Sequence, residues 1–370
     1  MMKRSISALL LICIILLSAC SSQKSEAVET SLPEADEGYV WITDCAGRQV
    51  QIPIQPERIA ALDSFSAEAM VMLVSGDRMV AAPNGVKSDA LLQMIYPELS
   101  DVSVPMSGGT INAEELASLN PDLVFLKASI YAAEGETEKL DKLNIPYLVV
   151  DYGTMQEQMD ALSMIGEALG GSAENTATSI NAYYQEVVDL AASIKETIPE
   201  DERYGVYHSI NEFTRTDGYD SLGYDWIECV GAINVSAGVS TLSEGTDYYC
   251  SAEQIFSLDP DIIICNEAST VDYLYSEGKW SGLRAVRDEQ VYNIPVAATR
   301  WGQRGSLETF FAILWLGTTI YPEYYGEVDL KAEVVSFYKT YYDITLDDET
   351  YDLILSGEGI RTQSAGNSGG

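Results

Sequence analysis

Histidine is almost missing from this chain: His208 stands alone among 370 residues. Zinc and manganese sites need three or four converging His, Cys or carboxylate ligands, so transport or storage of such a bare ion has little to build on. None of the six cysteines is spaced as C-x-x-C, which removes a structural zinc site. A G-x-x-x-x-G-K-[ST] phosphate loop and an H-E-x-x-H pair are also absent, so nucleotide hydrolysis and metalloprotease chemistry lose their usual signatures. Positive charge is scarce, with 21 Lys and Arg against 57 Asp and Glu and a formal net charge of −36. A chain this acidic is repelled by nucleic-acid phosphates and anionic lipid head groups, and neither is expected as a partner. Paired acids carry little information against this background. No enzyme is expected, and an extracytoplasmic enzyme acting on a small substrate is the alternative from another class.

Long apolar runs are confined to the start. Lys3 and Arg4 precede a run from Ile6 to Leu17 interrupted by Ser7. It falls short of the roughly 20 residues that span a bilayer and reads as the apolar part of an export signal. Leu17-Ser18-Ala19-Cys20 resembles the lipobox of bacterial lipoproteins, which implies cleavage before Cys20 and a lipid on its thiol. The expected organisation begins with a signal at 1–19 and a flexible tether at 20–38, rich in Ser, Glu and Ala and too polar to order itself. That places the protein outside the cytoplasm, held to the cell membrane through lipid on Cys20 alone. Cys45, Cys229, Cys250 and Cys265 remain. One disulfide among the last three is open, and buried free thiols are equally open.

The rest alternates apolar strands with amphipathic helices. Strands are expected at 58–62, 79–82, 123–126 and 147–150, with a helix capped by Ser66 and another over 134–142. Residues 155–198 read as helix only, broken at Gly170-Gly171, and the stretch from Glu174 to Ile198 holds no Gly or Pro. Strands return at 204–207, 262–264 and 291–294, with a helix at 224–230. The pattern predicts an α/β protein of two Rossmann-like lobes joined by a single long helix, with a ligand cleft between them. The N-terminal lobe is expected at 39–153, the helical linker at 154–200, the C-terminal lobe with its terminal helices at 201–357, and a disordered tail at 358–370.

A repeated phrase supports duplication. Asn112-Ala113-Glu114-Glu115-Leu116, closing on Pro121-Asp122 and an apolar strand, is matched by Ser251-Ala252-Glu253-Gln254-Ile255, closing on Pro260-Asp261 and Ile262-Ile263-Ile264. The two glutamates are offset by 139 residues, about one lobe.

With these units, the phrases Asp44-Cys45-Ala46-Gly47-Arg48, Pro56-Glu57-Arg58-Ile59, Trp280, Gln290-Val291-Tyr292, Trp301-Gly302-Gln303-Arg304-Gly305-Ser306 and Tyr321-Pro322-Glu323 complete a resemblance. From about Ile42 to Tyr351 the chain resembles class III periplasmic binding proteins of ABC importers for ferric siderophores, haem and cobalamin. The resemblance implies a monomer that hands its cargo to a permease dimer driven by a cytoplasmic ATPase, and it implies docking through Glu114 and Glu253. It implies no intrinsic cofactor and a metal chelate as ligand: a ferric siderophore or haem, with cobalamin as the alternative. Bare ferric iron held by tyrosines stays open, because there are 23 of them.

Ligands of open α/β sheets sit beyond the carboxyl ends of strands. That rule points to Phe65, Met106, Lys127, Tyr152, His208, Arg300 and Trp301. Phe65 and Tyr152 suit either ligand or lobe packing. His208 suits an axial site on a chelated metal or a structural hydrogen bond, and Trp301 either stacks on ligand or packs beneath the C-terminal helices. No direct protein metal site is expected otherwise.

Overall fold

Residues 33–243 and 247–360 are described by a computed structural model of the chain. The expected signal, Cys20 and residues 361–370 lie outside them. The described chain opens with an antiparallel ribbon, Tyr39–Thr43 against Gln49–Pro53. Its turn is held by Asp44, which accepts from the backbone N–H of Ala46 and Arg48 and pairs with the Arg48 guanidinium at 2.6 Å.

Two parallel four-stranded sheets follow, each with the order expected of crossover connections. The first runs Met79–Ala81, Ile59–Ala61, Leu123–Lys127, Tyr147–Val150. The second runs Ile233–Asn234, Gly205–Ser209, Ile262–Cys265, Val291–Asn293. Their continuous apolar strands are buried on both faces, as parallel sheets require. Successive side chains point to opposite faces. Thus Leu123 and Phe125 join the main core while Val124 and Leu126 join a separate outer cluster. In the second sheet Ile262 and Ile264 face the main core, and Ile263 and Cys265 face another outer cluster.

Between the sheets, Thr154 and Glu157 form a capping box that starts the helix Met155–Leu169. Gly170 and Gly171, both at positive φ, break the chain and release a second helix, Ser172–Lys195, of 24 residues. At 1.5 Å per residue it is roughly 36 Å long. Its buried stripe is Ala173, Ala177, Ile180, Tyr184, Val187 and Ala191, spaced by threes and fours. The main core runs without a break from the first helix of the N-terminal half, through this rod, to the C-terminal helix Thr309–Ile320. The architecture is the two-lobed α/β type, with no helix among the described residues long and apolar enough to cross a membrane.

Some local expectations shift. The helix expected to be capped by Ser66 is Ser64–Met72, because Asp63 takes the cap and accepts from the Ser66 N–H. Residues 213–250 carry a small antiparallel sheet of two-residue strands, Arg215–Thr216, Tyr248–Tyr249 and Thr241–Leu242, too short for any period to register. Cys45, Cys229, Cys250 and Cys265 are all free thiols.

Gly302 sits at φ +67, and a Cβ there would lie 2.7 Å from the Trp226 indole nitrogen and 2.9 Å from the Ala312 Cβ. Trp226 also donates to the Gly302 carbonyl at 3.1 Å. Gly302→Ala is therefore expected to cost about 2–4 kcal/mol in a urea unfolding titration, from positive φ and overpacking together.

Candidate functional site

Two cavities of about 310 and 610 Å³ share one wall, made by Arg215, Asp247, Gln303 and Arg304. The larger is lined from the carboxyl ends of the first sheet by Asp63, Phe65, Lys127, Asp151 and Tyr152. The smaller is lined from the second sheet and its insertion by His208, Asp217, Asn266 and Tyr248. Together they form a groove between the carboxyl ends of both sheets, where open α/β folds bind ligands.

The expected residues fall at different depths. Lys127 ends its strand and is exposed, with no ion pair among the described residues. Met106 is half-buried on the rim of the larger cavity. Phe65 and Tyr152 line the same cavity but are themselves buried, their rings 4.8 Å apart. The Tyr152 hydroxyl accepts from the Gly305 N–H at 2.8 Å, and burial raises its pKa. Asp63 is buried as well, and burial pushes its carboxyl up while hydrogen bonds from Ser66 pull it down.

His208 and Trp301 are buried and Arg300 is half-buried. Both His208 ring nitrogens are taken, Nδ1 by Asp217 at 2.9 Å and Nε2 by Asn266 at 2.8 Å. An axial bond to a chelated metal would break one of these, so the hydrogen-bonded reading is the one the geometry favours. Arg300 lines neither cavity. It pairs with Glu267 at 2.9 Å and donates to Gln303 at 2.7 Å, and burial lowers its pKa. Trp301 is 0% exposed and tilts against Phe311 at 5.2 Å, which leaves no ring face for a ligand. Among the described residues no group of three or more His, Cys, Asp or Glu is arranged to hold a metal ion.

The residues that dominate the shared wall were not singled out by sequence. Arg215 pairs with Asp247 at 2.5 Å within the small sheet. Arg304 crosses from the C-terminal half to Asp151 at 2.6 Å and donates to the Tyr152 carbonyl at 3.1 Å. Both pairs are partly solvated, so each is worth little and a ligand anion can replace the carboxylate at small cost. An arginine in a short, non-periodic insertion leaves no pattern to find, and Arg304 falls within the string Trp301–Ser306, which marks the family resemblance without assigning it a role.

A second set of acids lies behind this wall. Glu68, wholly buried on the helix Ser64–Met72, accepts from the Leu307 N–H and the Thr299 hydroxyl, each at 3.1 Å. Glu308, also wholly buried, accepts from the Tyr338 hydroxyl. Burial pushes the Glu68 carboxyl up to about 8, and burial together with Glu68 pushes Glu308 well above the carboxylate range.

The repeated phrase is a repeated structure. Asn112 and Ser251 each cap a helix by accepting an N–H three residues on, and Asn120 and Asp259 each take positive φ. Asp122 then accepts from the Glu57 and Arg58 N–H groups, and Asp261 from that of Gly205, tying each unit to the neighbouring strand. Glu114 and Glu253 stand exposed in the first helical turns, with no ion pair among the described residues.

The family described as periplasmic binding protein matches residues 59–298. YvrC of Bacillus subtilis, an ABC transporter substrate-binding lipoprotein, is 26% identical over 333 residues, 88% of this chain and all of that protein. The molybdate-binding protein MolA of Haemophilus influenzae is 23% identical over 337 residues, covering 81% of this chain and 90% of MolA. The structure of MolA with molybdate superposes with TM-score 0.73, covering 83% of this chain and 99% of that one at 21% identity. A periplasmic solute-binding protein of Veillonella parvula gives TM-score 0.72 at 24% identity, covering 86% and 97%.

Proposed function

We propose, for a chain that belongs to the periplasmic binding protein family and is the extracytoplasmic substrate-binding component of an ABC transporter, that the groove captures an iron chelate, a ferric siderophore or haem. The observation that carries this reading is a pair of adjoining cavities of about 310 and 610 Å³ with Lys127, Arg215 and Arg304 on their walls. That space is far larger than a bare ion needs, and a ligand anion that displaces Asp247 and Asp151 from Arg215 and Arg304 meets both guanidinium groups together with Lys127. Phe65, Met106, Tyr152 and the Arg300–Gln303 pair shape the pocket around it, and Glu114 and Glu253 present the loaded protein to the permease. Anchoring through Cys20 keeps the protein beside its transporter, as a monomer. Cobalamin is the alternative from the same family. Molybdate is a second reading, favoured by the likeness to MolA and by the same cations.

Trp226 reports on the groove, since its indole donates to Gly302, which lines the smaller cavity. Titration of tryptophan fluorescence with ferric siderophores, haem, cobalamin and molybdate is expected to show saturable quenching by an anionic iron chelate. Arg215→Ala with Arg304→Ala should weaken it by roughly 100-fold or more, the scale of two charge-assisted hydrogen bonds. Saturation by molybdate or cobalamin alone replaces the iron reading, and turnover of a small substrate restores the enzyme alternative.

A further inference from the structure

The smaller cavity has a wall whose hydrogen-bonding sense is set from behind. Asn266 follows the strand Ile262–Cys265, is 1% exposed, and lines that cavity. Its Oδ1 is 2.8 Å from the Nε2 of His208, and its Nδ2 has no partner among the described residues. An amide oxygen only accepts, so this contact needs a proton on Nε2. Asp217 faces Nδ1 at 2.9 Å and also only accepts when ionised, so Nδ1 carries a proton too. With the amide placed this way both ring nitrogens face acceptors, the arrangement that suits an imidazolium with Asp217 as its counter-ion. Asp217 is itself fixed by Ser221 at 3.1 Å and by the Asn234 amide at 3.0 Å.

We propose that Asp217, His208 and Asn266 form a relay that turns the Asn266 amide so that its Nδ2 is offered as a donor to an acceptor oxygen of the ligand. The proposal rests on the groove being the capture site and narrows the cargo to one with an anionic or carbonyl oxygen at the second-sheet end. An imidazolium behind it holds the amide oxygen and leaves the buried, unpartnered Nδ2 of Asn266, a residue of the cavity wall, as the group free to donate. A neutral ring, protonated on Nδ1 by Asp217, would need the Asn266 NH₂ for itself and would leave a carbonyl facing the ligand. One proton therefore reverses the wall from donor to acceptor.

The groups around the ring are few. Burial disfavours its charge, Asp217 and the hydrogen bond to Asn266 favour it, and Arg300 opposes it. The Trp226 ring packs edge-on at 5.8 Å. The balance raises the imidazole above its usual 6.5, so the donor state persists where a free histidine is already neutral.

With a single histidine, long-range proton–nitrogen correlation on ¹⁵N-labelled protein reads this ring without assignment. Two protonated nitrogens are expected near neutral pH, reverting to a neutral ring in Asp217→Asn. A neutral ring in the parent protein overturns the relay, whatever binds. Ferric citrate and molybdate, as oxyanion probes, are then titrated by tryptophan fluorescence on both sides of the measured transition. Affinity for the binding probe is expected to fall about tenfold as the ring loses its proton, and to fall similarly in Asn266→Asp at fixed pH. A bound probe indifferent to both changes overturns the donor role. Binding of neither probe at any pH overturns the anion-capture reading and the donor role with it, while the ring's charge still judges the relay alone.

Discussion

Glu114→Lys combined with Glu253→Lys is expected to abolish uptake of the cargo by cells while leaving its affinity for the purified protein unchanged. The expectation follows from where the two carboxylates stand. Each occupies the first turn of a helix whose cap, positive-φ closing residue and Pro-Asp anchor are reproduced in the other half of the molecule. Each is exposed, and neither is in an ion pair among the described residues. Neither lines the groove, so reversing them leaves the ligand contacts alone. The bland account is that acids suit helix N-termini, where they gain a few tenths of a kcal/mol from the dipole. That account predicts a small loss of stability and normal uptake. The docking account predicts that two like charges meet the cations of the permease, which costs orientation and association rate more than local stability. Each single reversal should slow uptake partly and more strongly at low salt, since exposed charges are screened beyond about 8–10 Å at physiological ionic strength. Normal uptake by the double variant, at normal expression, removes the docking role.

The frame of the molecule was readable because burial on both faces forces continuous apolar strands, and those runs are unmistakable at Leu123–Lys127, Tyr147–Val150 and Ile262–Cys265. The rod was readable because Gly170 and Gly171 are followed by a glycine-free stretch with an apolar stripe. The duplicated Pro-Asp units were readable because each aspartate does the same backbone work. The groove was legible only in outline. Strand ends marked Phe65, Lys127 and Tyr152 as neighbours of one cavity, but they say nothing about depth, and Trp301 proved to be enclosed by Phe311. Arg215 lies on a two-residue strand and Asp247 just before another, neither carrying a periodic signal, so the cation on the wall was invisible. Glu68 was hidden differently. Its neighbours Ala67, Met70 and Val71 suggest one apolar face with Glu68 turned to water, whereas the helix is buried nearly all round.

That burial makes the fold unusually sensitive to alkali. Glu68 and Glu308 share a pocket with Thr299, Ser306, Tyr338 and Tyr342, and among the described residues no cation contacts either carboxyl. Asp89 lies near enough to raise both further, and burial lifts its own carboxyl to about 7. In the unfolded chain these glutamates ionise near 4.5; in the folded protein Glu68 holds its proton to about 8. Between those values the native state binds more protons than the unfolded state, so stability falls as pH rises from 4.5 to 8, and Glu308, raised well above the carboxylate range, extends the fall to higher pH. Each unit of displacement corresponds to about 1.4 kcal/mol, and relaxation around a coupled pair brings the whole effect to the order of several kcal/mol. His208, raised above its usual 6.5, pulls in the same direction, because its contribution is complete below that value and is lost above it. Glu68→Gln separates the two. Glutamine keeps the oxygen that accepts from Leu307 and Thr299, carries no charge, and can donate to the Tyr342 hydroxyl. Urea unfolding from pH about 5 to 9 should give a much shallower slope for Glu68→Gln than for the parent, with the variant more stable by about 2–4 kcal/mol at the alkaline end. A parent protein whose stability rises or stays level between 4.5 and 8 rejects a protonated pair. The same loop from Thr299 to Leu307 carries Gln303 and Arg304 to the groove, so ionising Glu68 should loosen the wall that receives the ligand before it unfolds the protein.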